Sequence, residues 1–343
     1  MNPRRSGDRF ISDLPENRSM TKQNPIVAGL TLISLICLVA AYFAPIWWVS
    51  LTAPNYPEDA FPDGIRIHFH FDDVYNGCKA AIKGSRMADE ILQKDLGHDD
   101  ERYNPILDAN KNVNKGAVGL DCVHEMNTIN HYVGMFPIAT GAPVEKPLSK
   151  FFFGFFAVIM LAFALPRKKP RLIVLAAGFV AVAAWMLIDQ FVMGHLASHV
   201  ADYMKESGRY FKDPERIQAW GGNVDLISRI VIFGLIAVMA LVFAGVARIR
   251  NFQLLLALAP ALLPLYFVIT YASWLWFFGH NLHPWGAFTV KPFMPTVFGE
   301  GKVAQFSTYS YPYWGYGLLM VIFVCMMLAL LIRRKQLREG GAE

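Results

Sequence analysis

Hydrophobic positions in this chain fall into long uninterrupted blocks separated by polar connections, with little alternation and no heptad seam. The first block runs from Pro25 to about Val49, and the others cover roughly 148–165, 171–194, 226–247, 252–278 and 315–332. A hydrocarbon core of about 30 Å needs about 20 helical residues. Four of the six blocks reach that length, and the last, at 315–332, comes close to it. The block at 148–165 is short, so it either begins earlier or thins the bilayer locally. The first block follows 24 largely polar residues and ends in Trp47-Trp48 instead of a small-residue cleavage site, so it reads as a helix and not as a signal peptide. Pro260 and Pro264 are positioned to kink the fifth helix. The expected class is an all-α polytopic membrane protein of six transmembrane helices, with a small mixed α/β periplasmic domain between helices 1 and 2. The expected organisation is a tail at 1–24, helix 1 at 25–50, a domain at 51–147, helices 2–6 within 148–332 with loops 195–225 and 279–314, and a tail at 333–343.

Basic residues orient this plan. Arg4, Arg5, Arg9, Arg18 and Lys22 precede helix 1. Arg167, Lys168, Lys169 and Arg171 lie between helices 2 and 3, Arg248 and Arg250 between helices 4 and 5, and Arg333, Arg334, Lys335 and Arg338 follow helix 6. With six spans all four groups share one face, which the positive-inside rule makes cytoplasmic. Both termini are then on the cytoplasmic side of the bacterial inner membrane and the long loops are periplasmic, with Trp47, Trp48, Trp274, Trp276 and Trp314 at the outer interface as an aromatic belt. Composition agrees: 54% hydrophobic, 14% aromatic and 17% charged residues exclude an ordinary soluble or disordered chain. The formal charge of +5 does not imply a nucleic-acid partner, because its basic residues flank the apolar blocks. Asp189 is the acidic residue well inside a span, and a single acid is no proton relay, which argues against an ion-coupled transporter. No GxxxxGK[ST] loop and no paired nucleophile and base are present, so catalysis is not indicated.

The polar connections carry the remaining chemistry. Gly64-Ile-Arg-Ile-His-Phe-His-Phe71 alternates as a half-buried strand, with Ile65, Ile67, Phe69 and Phe71 on one face and Arg66, His68 and His70 on the other. Residues 85–115 read as an exposed excursion with a short helix at 86–95. Residues 119–135 concentrate Cys122, His124, Met126, His131 and Met135, and His131 and Met135 at i,i+4 would share a helix face. Imidazole, thiolate and thioether donors favour copper, especially Cu(I). The alternative is that the methionines are packing residues and His131 a hydrogen-bonded turn cap. His195 and His199 form a second pair with metal-ligand spacing, and His280 and His283 follow helix 5, within reach of that pair if helices 3 and 5 are neighbours. Cys78 and Cys122 either form a disulfide, which an oxidising compartment would preserve, or leave Cys122 as a thiolate ligand.

Three further stretches stand out: Trp47 to Pro57, Glu125-Met-Asn-Thr-Ile-Asn-His-Tyr-Val-Gly-Met135, and the run from Gly279-His-Asn-Leu-His-Pro284 through Lys291-Pro-Phe-Met-Pro-Thr296 to Tyr311. Together they resemble a family of six-helix bacterial membrane proteins whose genes accompany copper-dependent nitrogen-cycle enzymes, particularly nitrous oxide reductase and its maturation factors. The chain departs from the pattern in a long 76–118 insertion carrying Cys78. The resemblance implies a copper context, with a periplasmic or membrane copper enzyme of the nitrous oxide reductase or the ammonia or methane monooxygenase kind as partner beside the lipid bilayer. The expected function is that of an accessory protein for copper handling, maturation or docking, with metal ligands drawn from His124, Met126, His131, Met135, His195, His199, His280 and His283. The alternative is a structural subunit of a membrane oxidoreductase with a quinol or haem b site, for which paired histidines on two helices would serve.

Overall fold

A computed structural model describes residues 25–54, 56, 61–78, 121–137, 141–249, 251–287, 289–303 and 305–339. The N-terminal basic residues, the 85–115 excursion with its expected helix, His98 and Arg250 lie outside the described residues. Helix α1 (Pro25–Phe43) leads into strands β1 (Trp47–Thr52), β2 (Ile65–Phe69) and β3 (Val74–Asn76). Then come α2 (Cys122–Tyr132), α3 (Glu145–Ala164), α4 (Lys168–Leu187), a π-helical turn (Ile188–Val192), α5 (His195–Tyr210), α6 (Pro214–Arg248), α7 (Leu255–Ala261) and α8 (Leu263–His280). Strands β4 (Gly299–Val303) and β5 (Phe306–Pro312) precede α9 (Trp314–Glu339).

Among the described residues α1, α3, α4 with its π turn, α6 and α9 are each long and apolar enough to cross a membrane. The pair 252–261 and 263–280 is bent by 55° and makes a sixth if counted as one span. The bend has a cause in the sequence, since Pro264 has no N–H and its ring clashes with the carbonyl four residues back, at Pro260. Large apolar side chains such as Leu32, Ile36, Val180, Leu241 and Leu331 point outward, while Thr31 and Ser34 are buried with their hydroxyls donating to Val27 O and Leu30 O. Apolar outside with small polar groups inside is the arrangement of helices packed in lipid, and the architecture is that of a helical membrane protein.

Several expected boundaries shift. Helix 1 ends at Phe43, not near residue 50, because Pro45 breaks it and Trp47-Trp48 enters β1. Trp47 is only 3% exposed, so it belongs to the core and not to an interfacial belt, whereas Trp276 and Trp314 are exposed. The short second block begins earlier, at Glu145. Residues 195–225, expected as a loop, are α5 and the first turns of α6, which at 35 residues is about 52 Å long and exceeds a hydrocarbon core.

The five strands form one antiparallel sheet, ordered β3-β2-β1-β5-β4. It therefore joins the expected 51–147 domain to the expected 279–314 loop in a single head. Trp47 pairs with Phe69 on one side and Pro312 on the other, and Leu51 pairs with Ile65 and Thr308. The face bearing Trp47, Val49, Leu51, Ile65 and Ile67 packs on α2 and on the near end of α8. Trp47 donates its indole N–H to Ser310 Oγ at 2.9 Å. Gly64 holds φ +68° at the entry to β2, and a Cβ there would lie 2.6 Å from Leu51 O, so the turn requires glycine. A Lys146–Asp73 ion pair at 2.6 Å fastens the head to the start of α3. At the far end Lys168 Nζ donates to Ala247 O, and the α3–α4 turn, the end of α6 and the last turns of α9 come together.

Candidate functional site

The eight expected ligand residues separate into distinct places. Three of the histidines gather around the corner between α5 and α6. Tyr210 closes α5 with its hydroxyl 3.1 Å from His124 Nδ1. Phe211 is fully buried beside it, stacked on His283 at 4.3 Å between ring centroids and lying 4.9 Å from the ring of His131. Asp213 caps α6 by accepting from Arg216 N, and its second oxygen meets His283 Nε2 at 3.2 Å. Because His283 Nδ1 accepts the Trp285 N–H at 3.1 Å, its proton sits on Nε2 and both nitrogens are engaged. Burial lowers the His283 pKa, with Asp213 opposing, and burial also lowers that of His131, whose Nδ1 is buried without a hydrogen-bond partner among the described residues.

The other histidines stand elsewhere. His195 Nδ1 lies 3.0 Å from Asp189 Oδ1, which Lys150 Nζ also reaches at 2.8 Å, while Gln190 Nε2 donates to Asp189 Oδ2 at 2.6 Å. The acid in the π turn is thus satisfied by three neighbours. His199 Nε2 donates to Pro143 O at 2.8 Å, and burial lowers its pKa. His280 stacks on Trp276 and bonds to the carbonyl of that residue at 2.8 Å. His195 and His199 do share α5, as their spacing requires, but they turn to separate partners, and neither pairs with His280 or His283.

The donor set does not fit copper at a shared centre. Cys78 and Cys122 form a disulfide with a Cα–Cα distance of 6.0 Å, so no thiolate is available from Cys122. Met135 does not share a helix face with His131: α2 ends at Tyr132, and Gly134 at φ +82° redirects the chain before Met135. Met126 and Met135 are both buried against apolar neighbours. Among the described residues no group of three or more His, Cys, Asp or Glu is placed to hold a metal ion. The described residues therefore do not form the converging ligand set their types led one to expect.

What the head offers instead is apolar space. Between the packed face of the sheet and α8 lie two small cavities of about 100 and 80 Å³ that share Phe69, Tyr271 and Leu275 as a common wall. Met126 and Met135 line the smaller one, and no imidazole does. Trp274 and Glu145 border the larger, the indole N–H donating to Glu145 Oε2 at 2.8 Å. The opposite face of the sheet is cationic and aromatic. The Arg66 guanidinium lies 4.2 Å over Trp48 and 5.7 Å from Tyr313, Trp48 contacts Tyr311, and His68 stacks on Tyr313. Burial, reinforced by Arg66 and His70, pushes the His68 pKa down to about 4.

Sequence reasoning found His124, His131 and His283 but missed Tyr210 and Phe211, which touch all three between them, and Asp213, which holds His283. The signal was present: Asp213-Pro214 is a helix N-cap followed by proline at the first helical position. Compared with known proteins, the chain matches no family model, no curated protein and no solved structure.

Proposed function

We propose that the chain is a membrane accessory protein of a periplasm-facing copper enzyme system, acting by docking and not by carrying the metal itself. The observation that supports this reading is the assembly of the head. Segments as far apart as Trp47 and Ser310, 263 residues in sequence, form one sheet anchored on the helices and braced by a disulfide. Such a head presents the Trp48–Arg66–Tyr311 face on a rigid base, and aromatic and arginine side chains are the residue types that dominate protein interfaces. In this reading six spans put both termini in the cytoplasm and the head in the periplasm. The basic residues Lys168, Arg171, Arg248 and Arg333 meeting at the end away from the sheet support that orientation. The second reading, a structural subunit of a membrane oxidoreductase, draws on the paired apolar cavities, which suit a quinol ring better than the separated histidines suit haem.

The test is affinity purification of the full chain in mild detergent. A copper enzyme should be retained, its copper should leave with it on a salt wash, and Trp48→Ala with Tyr311→Ala should abolish retention. An equivalent of copper that stays on the washed chain and is lost in His131→Ala would overturn the docking reading in favour of copper handling.

A further inference from the structure

A cavity of about 410 Å³ opens at the far end of the helices, where the α3–α4 turn, the end of α6, the 251–253 turn and the last turns of α9 meet. Lys168, Arg171, Arg248 and Arg333 line it, and no lining residue is acidic. Arg171 and Arg333 are only 5% and 2% exposed. Each directs one nitrogen to the end of α3. Arg171 Nη2 donates to Leu165 O at 2.6 Å and to Pro166 O at 3.3 Å, and Arg333 Nη2 donates to Phe163 O at 3.3 Å and to Ala164 O at 3.5 Å. Those contacts satisfy carbonyls that the helix leaves open and place positive charge at its negative end.

Capping does not account for the rest of these side chains. Arg171 Nε, Arg333 Nε and Arg333 Nη1 are buried without a hydrogen-bond partner among the described residues. A guanidinium carries five N–H donors and keeps its charge, so a buried one with idle donors beside a second of like sign is strongly unfavourable unless an anion joins it. Lys168 and Arg248 stand exposed at the rim and add two further charges.

We propose that this pocket binds a phosphate group, carried on the headgroup of an anionic membrane lipid. Planar arginine forks match phosphate oxygens in pairs, and two of them fixed by their caps are already oriented to do so. The exposed apolar side chain of Ile249, which lines the pocket, gives the lipid tails a surface to follow. Basic pockets between helices at the cytoplasmic side are suited to such headgroups. The inference does not depend on any copper partner. Free inorganic phosphate has the same recognition chemistry and is separated from lipid by the experiment.

The test uses the purified full chain in nanodiscs of phosphatidylglycerol, of phosphatidylcholine and of their mixture, with bound lipid counted by native mass spectrometry, and inorganic phosphate titrated separately. Phosphatidylglycerol should be retained about tenfold over phosphatidylcholine, and Lys168→Gln with Arg248→Gln, which leaves the α3 caps intact, should erase most of that preference. Arg333→Lys, which keeps the charge and loses the fork, should also lower it. Equal retention of the two lipids, or a preference unchanged in the rim variant, overturns the proposal. Saturable uptake of inorganic phosphate without lipid preference overturns the lipid as its source.

Discussion

Breaking the Cys78–Cys122 bridge should loosen the head without loosening the helices. Cys122 is the first residue of α2 and fully buried against Ile65, Ile67 and Val74, while Cys78 lies just past β3, so the bond ties α2 to the edge of the sheet. The bridged residues are 44 apart, and closing a loop of that length removes denatured-state entropy equivalent to about 4 kcal/mol. That figure is an upper one, because the ends of α1 and α3 already tether the segment and shrink its unfolded ensemble. A loss of about 3 kcal/mol corresponds to roughly a hundredfold rise in the open population. Hydrogen exchange read by mass spectrometry on the full chain in detergent measures this directly. Reducing the wild-type protein isolates the cross-link, and Cys78→Ala with Cys122→Ala adds the loss of buried sulfur. Protection in β2, β3 and α2 should fall by about two orders of magnitude, with α1 and α9 unchanged. Unchanged protection in α2, or a loss shared equally by α1 and α9, would refute the reasoning.

Acid should weaken the same head through His68. Its folded pKa, about 4, lies below its ordinary 6.5, so the unfolded chain binds the proton first. Stability is then full above about pH 6.5 and declines as pH falls towards 4, by on the order of 3 kcal/mol in all. Thermal scans between pH 7.5 and 4.5 should show a steeper decline for the wild type than for His68→Phe, and parallel curves would count against this assignment. Gly134→Ala should destabilise the junction between α2 and the 281–286 segment by about 1–3 kcal/mol. The position has φ +82°, an added Cβ would sit 2.5 Å from His283 O, and the His283 N–H to Gly134 O bond of 2.7 Å would be disturbed. An unchanged melting temperature would show that the loop yields more easily than its contacts imply.

The chemistry of the head was legible one residue type at a time and not as a constellation. Alternation identified the strand and its two faces over Ile65–Phe69, while His70 and Phe71, expected within it, lie past its end, and both bridged cysteines were recognised as partners with the choice between disulfide and ligand left open. His131 and Met135 fit a helical spacing of four, but Gly134 ends that geometry one residue before it matters. His283 looked like a donor beside His280, yet its ring is held by Phe211, Asp213 and Trp285, none of which lies on the same helix as His280. Trp47 continued an apolar block in sequence and became the centre of a sheet, because Pro45 stops α1 and β5 supplies a strand to pair with.

The sequence by itself determined the apolar helices. Whether a window of about 20 residues suits lipid depends on its own composition, and no distant partner is needed for it to register. Tertiary structure alone decided the sheet order, the gathering of His124, His131 and His283 at one corner, and the meeting of Arg171 with Arg333. Each of those depends on contacts between segments far apart in sequence, where the loop-closure cost and the partner's shape, not any local pattern, select the pairing.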